Sequence, residues 1–119
     1  MNFNYKKIKT KEERINDFNR IINNNPGKIP IICEKAPNSK LKSIEKTRYL
    51  VSGDLTASQF MSLIRKKTDL QKEHALFLLV KGKKAIAGLE TMNAIYKKYK
   101  DEDGFLYINY TSEMIWGDI

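Results

Sequence analysis

The stretch Lys28-Ile29-Pro30-Ile31-Ile32-Cys33-Glu34 decides the fold, because its run of β-branched residues predicts a strand. Arg48-Tyr49-Leu50-Val51 predicts a second strand, and the polar loop of about residues 35–47 makes the two strands a hairpin with a long connection. Proline has no backbone N–H, so the first strand is expected to have an edge or a break on one side at Pro30.

The segments after this hairpin alternate between helix and strand signals. A helix over about 57–67 is predicted by a capping box and a hydrophobic staple. These signals are carried by Thr56, Gln59, Leu55 and Phe60. The continuous apolar run 75–80 predicts a strand that is covered on both faces. Residues 81–88, rich in lysine and glycine, predict a loop.

The ends of the chain complete the order of elements. Thr10 and Glu13 form a capping box that predicts a helix over about 10–24, and a shorter segment with Phe3, Tyr5 and Ile8 precedes it. A helix over about 90–99 and a strand over 105–110 follow, and the aperiodic tail 111–119 is expected to be mobile. The order α, α, β, β, α, β, α, β predicts an α+β fold of the ubiquitin-like β-grasp type with two additional N-terminal helices, although other α+β orders also fit.

Composition limits the classes of protein that this chain of 119 residues can be. No segment reaches the roughly 20 apolar residues of a membrane helix, and the start resembles no secretory signal. Cys33 is the single cysteine, so no internal disulfide can form; the chain is predicted to be cytoplasmic, with Cys33 as a packing residue. We expect one domain in three parts: a helical extension (1–26), a core (27–111) and a flexible tail (112–119).

Charge is unevenly distributed along the chain. The formal net charge is +8, and residues 1–50 hold 12 Lys or Arg against 5 Asp or Glu. A basic surface attracts acidic peptides, anionic lipid headgroups or nucleic acid, although ordinary solubility also explains it. Nucleic acid is not an expected partner, because aromatic residues are not interleaved with the basic ones and no known binding motif is present.

The sequence contains no recognisable catalytic constellation. His74 is the single histidine and is expected at the surface, far from Cys33, so neither a zinc site nor a nucleophile–base pair is predicted. Gly82 and Gly88 match no phosphate-loop spacing. The carboxylates of residues 101–103 are expected to be solvated, with ordinary acidity. We therefore predict no enzyme activity, no cofactor and no metal.

Several stretches, in order and at near-matching spacing, resemble the autophagy ubiquitin-like modifier family (the autophagy-related protein 8 and GABA-receptor-associated protein family). They are Pro30–Pro37, Arg48–Val51, Asp54–Thr56, Gln59-Phe60, Ile64–Lys66, Ala75–Phe77, Lys100–Tyr107 and Trp116-Gly117. The resemblance implies a precursor that a cysteine protease cuts after Gly117, removing Asp118 and Ile119. Activating and conjugating enzymes would then join Gly117 to phosphatidylethanolamine, which places the protein on the autophagosome membrane when lipidated. Glycine suits a narrow enzyme channel because it has no side chain.

The resemblance also implies a site for aromatic-x-x-aliphatic peptides, such as those of cargo receptors and adaptors, beside the second strand. The pocket for the aromatic anchor maps to Asp17, Ile21, Pro30, Ile32, Arg48, Leu50 and Phe105. The pocket for the aliphatic anchor maps to Tyr49, Val51, Leu55, Phe60, Leu63 and Ile64. Lys28, Lys46 and Lys67, together with Arg48, would attract acids that flank the motif. Most of these apolar residues also fit a plain core.

Three departures from the family pattern bear on partner choice. Ser52-Gly53 stands where a proline is usual, and Trp116 replaces a smaller aromatic residue. The loop Lys81–Leu89 lacks paired prolines and carries Lys81, Lys83 and Lys84, which fit either a solvated loop or contact with anionic membrane. The alternative function is a soluble peptide-binding trafficking module of the same family without lipid conjugation.

Overall fold

The computed structural model describes residues 3–71 and 73–112. Its helices are α1 (Asn4–Ile8), α2 (Lys11–Asn24), α3 (Ala57–Thr68) and α4 (Met92–Tyr99). Its strands are β1 (Lys28–Lys35), β2 (Arg48–Ser52), β3 (Phe77–Val80), β4 (Lys84–Ala85) and β5 (Leu106–Thr111). Gly117, Trp116 and the rest of the predicted tail beyond Ser112 lie outside the described residues.

The strands form one mixed sheet in the order β2-β1-β5-β3-β4. β1 pairs antiparallel with β2, which confirms the predicted hairpin, and parallel with β5. The ladder between β1 and β5 begins at Ile31, one residue after Pro30, so the predicted break in pairing is confirmed on that side.

The prediction of a loop over 81–88 is wrong at Lys84–Ala85, which form the short strand β4. Lys84 pairs with Val80 and Ala85 with Leu79, so the chain turns back directly after β3. The turn needs left-handed backbone, with φ of 52° at Lys81 and 83° at Gly82. A two-residue exposed strand has no alternation of apolar residues, so the pattern could not reveal it.

Apolar residues cover both faces of the sheet. On one face, α3 and α4 pack through Phe60, Ile64, Met92 and Ile95 in a cluster that includes Cys33, which is fully buried as predicted. On the other face, α1 and α2 cover a smaller cluster of Phe3, Tyr5, Ile32, Phe105 and Tyr107, against which Phe18 and Ile21 pack. Leu78, Leu79 and Val80 of β3 are all buried, which confirms a strand covered on both faces.

Local signals place the longer helices where the sequence predicts them. The side chain of Thr10 accepts a hydrogen bond from the N–H of Glu13, and Thr56 accepts one from Gln59, with both reciprocal capping-box bonds present. The hydroxyl of Thr91 caps α4 in the same way, through the N–H of Ala94. Each cap satisfies a backbone donor that the first turn leaves open.

The prediction that the carboxylates of residues 101–103 are solvated is wrong for Asp103, which is buried. It is 1 % exposed, and its carboxylate accepts hydrogen bonds from Arg14 Nε at 2.8 Å, the Phe105 N–H at 2.9 Å and the Tyr107 hydroxyl. Burial by itself would raise the pKa of Asp101, but the hydrogen bonds from Lys6 and the Asp103 N–H, together with the charges of Lys6 and Arg14, outweigh it and lower the pKa. Arg14 lies 89 residues away in sequence, so no local pattern reveals this pair.

We predict that Asp103→Asn destabilises the fold by about 3 kcal/mol, because it leaves the buried Arg14 guanidinium without its counter-charge. Urea unfolding at neutral pH measures the effect. Glu102→Gln is the matched control, since Glu102 pairs with Lys11 at an exposed position and its loss should change little. Equal unfolding midpoints for the two variants would contradict the prediction.

Candidate peptide-binding edge

The strand β2 ends the sheet, with β1 as its one neighbour among the described strands. The N–H of Cys33 donates to the C=O of Thr47 at 2.7 Å, which sets the phase of the antiparallel ladder. Because inward and outward groups alternate along such a strand, Arg48 and Leu50 point their backbone N–H and C=O groups away from β1. This edge is therefore able to accept a further strand.

The first side of the edge carries the residues predicted for the aromatic anchor. Leu50 lies opposite Pro30, and Arg48 lies opposite Ile32, so these four side chains share the face that α2 covers. Ile32, Phe105 and Ile21 pack together beneath them. Leu50 is 36 % exposed, whereas Ile32 and Phe105 are buried.

Asp17, the remaining residue of this set, is also buried. Its Oδ2 accepts hydrogen bonds from the Tyr5 hydroxyl at 2.7 Å and Lys9 Nζ at 2.6 Å, and its Oδ1 accepts one from Arg20 at 2.8 Å. Burial would raise the pKa of Asp17, but the hydrogen bonds from Lys9, Tyr5 and Arg20 prevail and lower it to about 2. The carboxylate is therefore ionised and fully engaged at neutral pH.

The second side of the edge faces α3 and carries the residues predicted for the aliphatic anchor. Tyr49, Phe60 and Ile64 are buried in the main core, and the rings of Tyr49 and Phe60 meet edge to face with centroids 5.5 Å apart. Leu63 is 38 % exposed, and Val51 and Leu55 are half-buried. These three side chains are the ones that an added peptide could touch, and the buried three support them from below.

Four cations surround the edge, as the sequence analysis expected. Lys28, Lys46, Arg48 and Lys67 are exposed, and none of them forms an ion pair within the described part of the chain. The Lys46 ammonium lies 5.0 Å from the centre of the Tyr49 ring. These charges make the edge basic, because Asp17, the buried acid on one side of it, is already paired with Lys9 and Arg20.

Comparison with known proteins identifies the family. A sequence model described as "Autophagy protein Atg8 ubiquitin like" matches residues 13–117. Autophagy-related protein 8 of Mycosarcoma maydis is 43 % identical over 108 residues, which cover 91 % of each chain. Autophagy-related protein 8a of Arabidopsis thaliana is 43 % identical over 109 residues, 91 % of this chain and 88 % of the relative. This chain belongs to the Atg8 family.

The solved structures agree with this assignment. The crystal structure of Trypanosoma brucei ATG8 superposes with a TM-score of 0.87 at 40 % identity, over 93 % of this chain and 95 % of that one. The predicted α+β, ubiquitin-like fold is therefore confirmed. The Atg8 family consists of ubiquitin-like proteins of autophagy, and this chain is one of them.

Sequence reasoning missed the residues that hold α1 against α2 and β1. Tyr5 and Lys9 tie α1 to Asp17, and Glu34 accepts hydrogen bonds from the N–H groups of Asn4 and Tyr5. A cavity of about 640 Å³ also lies between α1, the end of β1 and the loop before β2, and Thr47 is one of its lining residues. Tyr5 was visible as an apolar anchor, but nothing in the sequence showed its partner.

No helix in the described ranges is long and apolar enough to cross a membrane. The same part of the chain holds no group of three or more His, Cys, Asp or Glu residues that could bind a metal ion. His74 is exposed, as predicted.

We predict that Asp17 stabilises the fold at neutral pH and that acid removes this contribution. Its pKa is depressed in the folded state from about 3.8 to about 2, so the stabilisation is complete above about pH 4 and lost as pH falls toward 2. The free energy of unfolding should differ between wild type and Asp17→Asn by about 2 kcal/mol at neutral pH. Urea unfolding from pH 7 to pH 2 should show this gap closing; a gap that stays constant would contradict the assignment.

Proposed function

We propose that this protein binds aromatic-x-x-aliphatic peptides by adding them as a strand to β2. The observation that supports this most directly is the position of β2 at the sheet edge, together with two partly exposed leucines, Leu50 on one face and Leu63 on the other. Successive side chains of a strand point to opposite faces, so residues three apart also do. A spacing of three therefore sends one anchor toward Leu50 and the other toward Leu63.

The charges of the edge support acidic flanks on the bound peptide. Lys28, Lys46, Arg48 and Lys67 are exposed on β1, β2, α3 and the loop before β2, and an acidic peptide would approach this basic rim faster than a neutral one. Each rim contact adds little affinity by itself because the lysines are solvated. The main-chain hydrogen bonds and the two anchors then supply most of the binding energy.

We further propose that Gly117 is the point of conjugation to phosphatidylethanolamine, after a cysteine protease has removed Asp118 and Ile119. Membership of the Atg8 family supports this assignment, and the matched region extends to residue 117. The modifier would be the substrate of its protease and of its activating and conjugating enzymes, and it would perform no catalysis. Two acyl chains give firm anchoring where one chain is marginal.

The two activities together make a membrane-anchored adaptor. The lipid would hold the domain on the autophagosome, and the edge of β2 would recruit cargo receptors and other adaptors that carry the motif. Without conjugation, the same domain remains in the cytoplasm. In this division the helical extension and the core would together bind peptide, and the tail would carry the lipid.

We predict that a peptide with the aromatic-x-x-aliphatic spacing and two acids before the aromatic residue binds the full chain. Leu50→Ala and Leu63→Ala should each weaken binding about tenfold, because each removes apolar area that the peptide covers. Isothermal titration calorimetry measures the affinities.

Two controls distinguish binding at the β2 edge from non-specific hydrophobic binding. Leu89→Ala removes a leucine that is 91 % exposed, in the segment between β4 and α4 and outside the proposed anchor sets, so this variant should bind as wild type does. A peptide with one intervening residue instead of two places both anchors on one face and should bind much more weakly. Equal affinity for the two spacings would exclude the strand-addition geometry.

We predict that Gly117→Ala abolishes the lipid-conjugated form, which migrates faster on a denaturing gel and partitions with membranes. Intact-mass measurement after incubation with the partner protease should show loss of the last two residues from the wild type. A conjugated form that persists in the mutant would refute Gly117 as the site. Absence of cleavage with intact peptide binding would instead leave a peptide-binding module without a lipid cycle.

A further inference from the structure

A second charged region lies beside the turn between β3 and β4, two strands that are at the other end of the strand order from β2. Here α1, α2, the turn between β3 and β4, and the turn before β5 enclose a cavity of about 330 Å³. It is lined by Lys6, Lys11, Arg14, Lys81, Lys100, Asp101 and Glu102. All of these residues are ionisable, whereas the residues proposed for the two peptide anchors beside β2 are mostly apolar.

Three of the five cations already have acidic partners. Lys6 pairs with Asp101 at 2.7 Å and Arg14 with Asp103 at 2.8 Å, while Lys11 pairs with Glu102. Lys81 and Lys100 form no ion pair within residues 3–71 and 73–112; Lys100 instead lies 5.7 Å from the centre of the Tyr96 ring. The cavity therefore carries an excess of two positive charges, and their mutual repulsion makes it favourable for an anion.

The backbone holds Lys81 at this position at some energetic cost. Its φ of 52° is left-handed, a conformation that glycine or asparagine adopts more readily than lysine. The turn brings Lys81 beside Lys6 both in this cavity and in an adjoining one of about 200 Å³, which Tyr99 and Tyr107 also line. An ammonium group is thus placed where it can reach a ligand in either space.

We propose that this cavity binds a phosphate monoester carried on a sugar or polyol, either free in solution or as a lipid headgroup. A phosphate monoester carries a charge of about −1.5 to −2 at neutral pH, which matches the two unpaired cations. Arg14 is fixed by buried Asp103, whereas Lys6 and Lys11 form more exposed ion pairs, which cost little to rearrange toward a ligand. The volume suits a small ring, since it lies at the lower end of ligand pockets.

The site is separate from the proposed peptide edge. None of the residues that line the cavity belongs to the residues proposed for the two peptide anchors or to the basic rim. A phosphate ligand and a peptide could therefore bind at the same time, and a defect in one site should leave the other intact.

Two probes test the proposal and distinguish the source of the phosphate. Glucose 6-phosphate is titrated into the full chain, and amide chemical shifts are followed at Lys81, Gly82 and Lys100. Phosphatidylcholine vesicles that contain phosphatidylinositol 4-phosphate are compared in sedimentation with vesicles that contain phosphatidylinositol, which lacks the monoester. Binding to the sugar phosphate supports a soluble ligand, and binding to the monoester vesicles alone supports a headgroup.

The variant Lys81→Asn/Lys100→Gln removes both unpaired charges, and asparagine keeps the left-handed turn favourable. It should weaken binding of whichever probe binds the wild type by about tenfold. The matched control Lys40→Asn/Lys66→Gln removes the same charge at exposed positions outside both sites and should bind as the wild type does. Binding should also strengthen from pH 5.5 to 7.5, as the monoester loses its second proton near pH 6.

The proposal would be overturned if neither probe bound the wild type, if both double variants lost affinity equally, or if vesicles with phosphatidylinositol bound as well as those with the monoester. The last two outcomes would show general attraction to a basic surface.

Discussion

The double pairing of β1 is the constraint on which the rest of the structure depends. β1 bonds to β2 on one side and to β5 on the other, and its alternate residues are buried on both faces. Ile31 and Cys33 face α3 and α4, whereas Ile32 faces α1 and α2. Since β1 has no free edge left over most of its length, the next strand outward, β2, supplies the edge that a peptide can join.

Pro30 fits into this arrangement because of the phase of the ladder. It lies opposite Leu50 at a position that exchanges no hydrogen bonds with β2, so its missing N–H falls on the side of β5. Pairing with β5 starts at Ile31, and no ladder bond is lost. The proline therefore lies within β1 without weakening either ladder, and it adds an apolar surface beside Leu50.

The layer of α1 and α2 connects the two regions of the molecule that carry charge. On one side, Tyr5 and Lys9 bond to Asp17, which belongs with Leu50 to the set proposed for the aromatic anchor. On the other side, Lys6, Lys11 and Arg14 pair with the three acids of the turn before β5. Apolar burial supplies most of the stabilisation, and the ion pairs fix where the helices lie on the sheet. A shift of this layer would change both surfaces together.

The sequence by itself determined the longer helices, the strands of the first hairpin, the buried run of β3 and the membership of a family, because these depend on local periodicity, capping residues and ordered motifs. Tertiary structure alone decided that Asp103 is buried on Arg14, that Tyr5 contacts Asp17, and that Phe60 and Ile64 lie in the core while Leu63 stays exposed. It also decided the short pairing of Lys84 and Ala85, and the meeting of Lys81 with Lys6 and Lys100. The physical reason is the same in each case. Burial and charge pairing join residues that are far apart in the chain. A local sequence pattern carries no information about which distant residue a given side chain will contact.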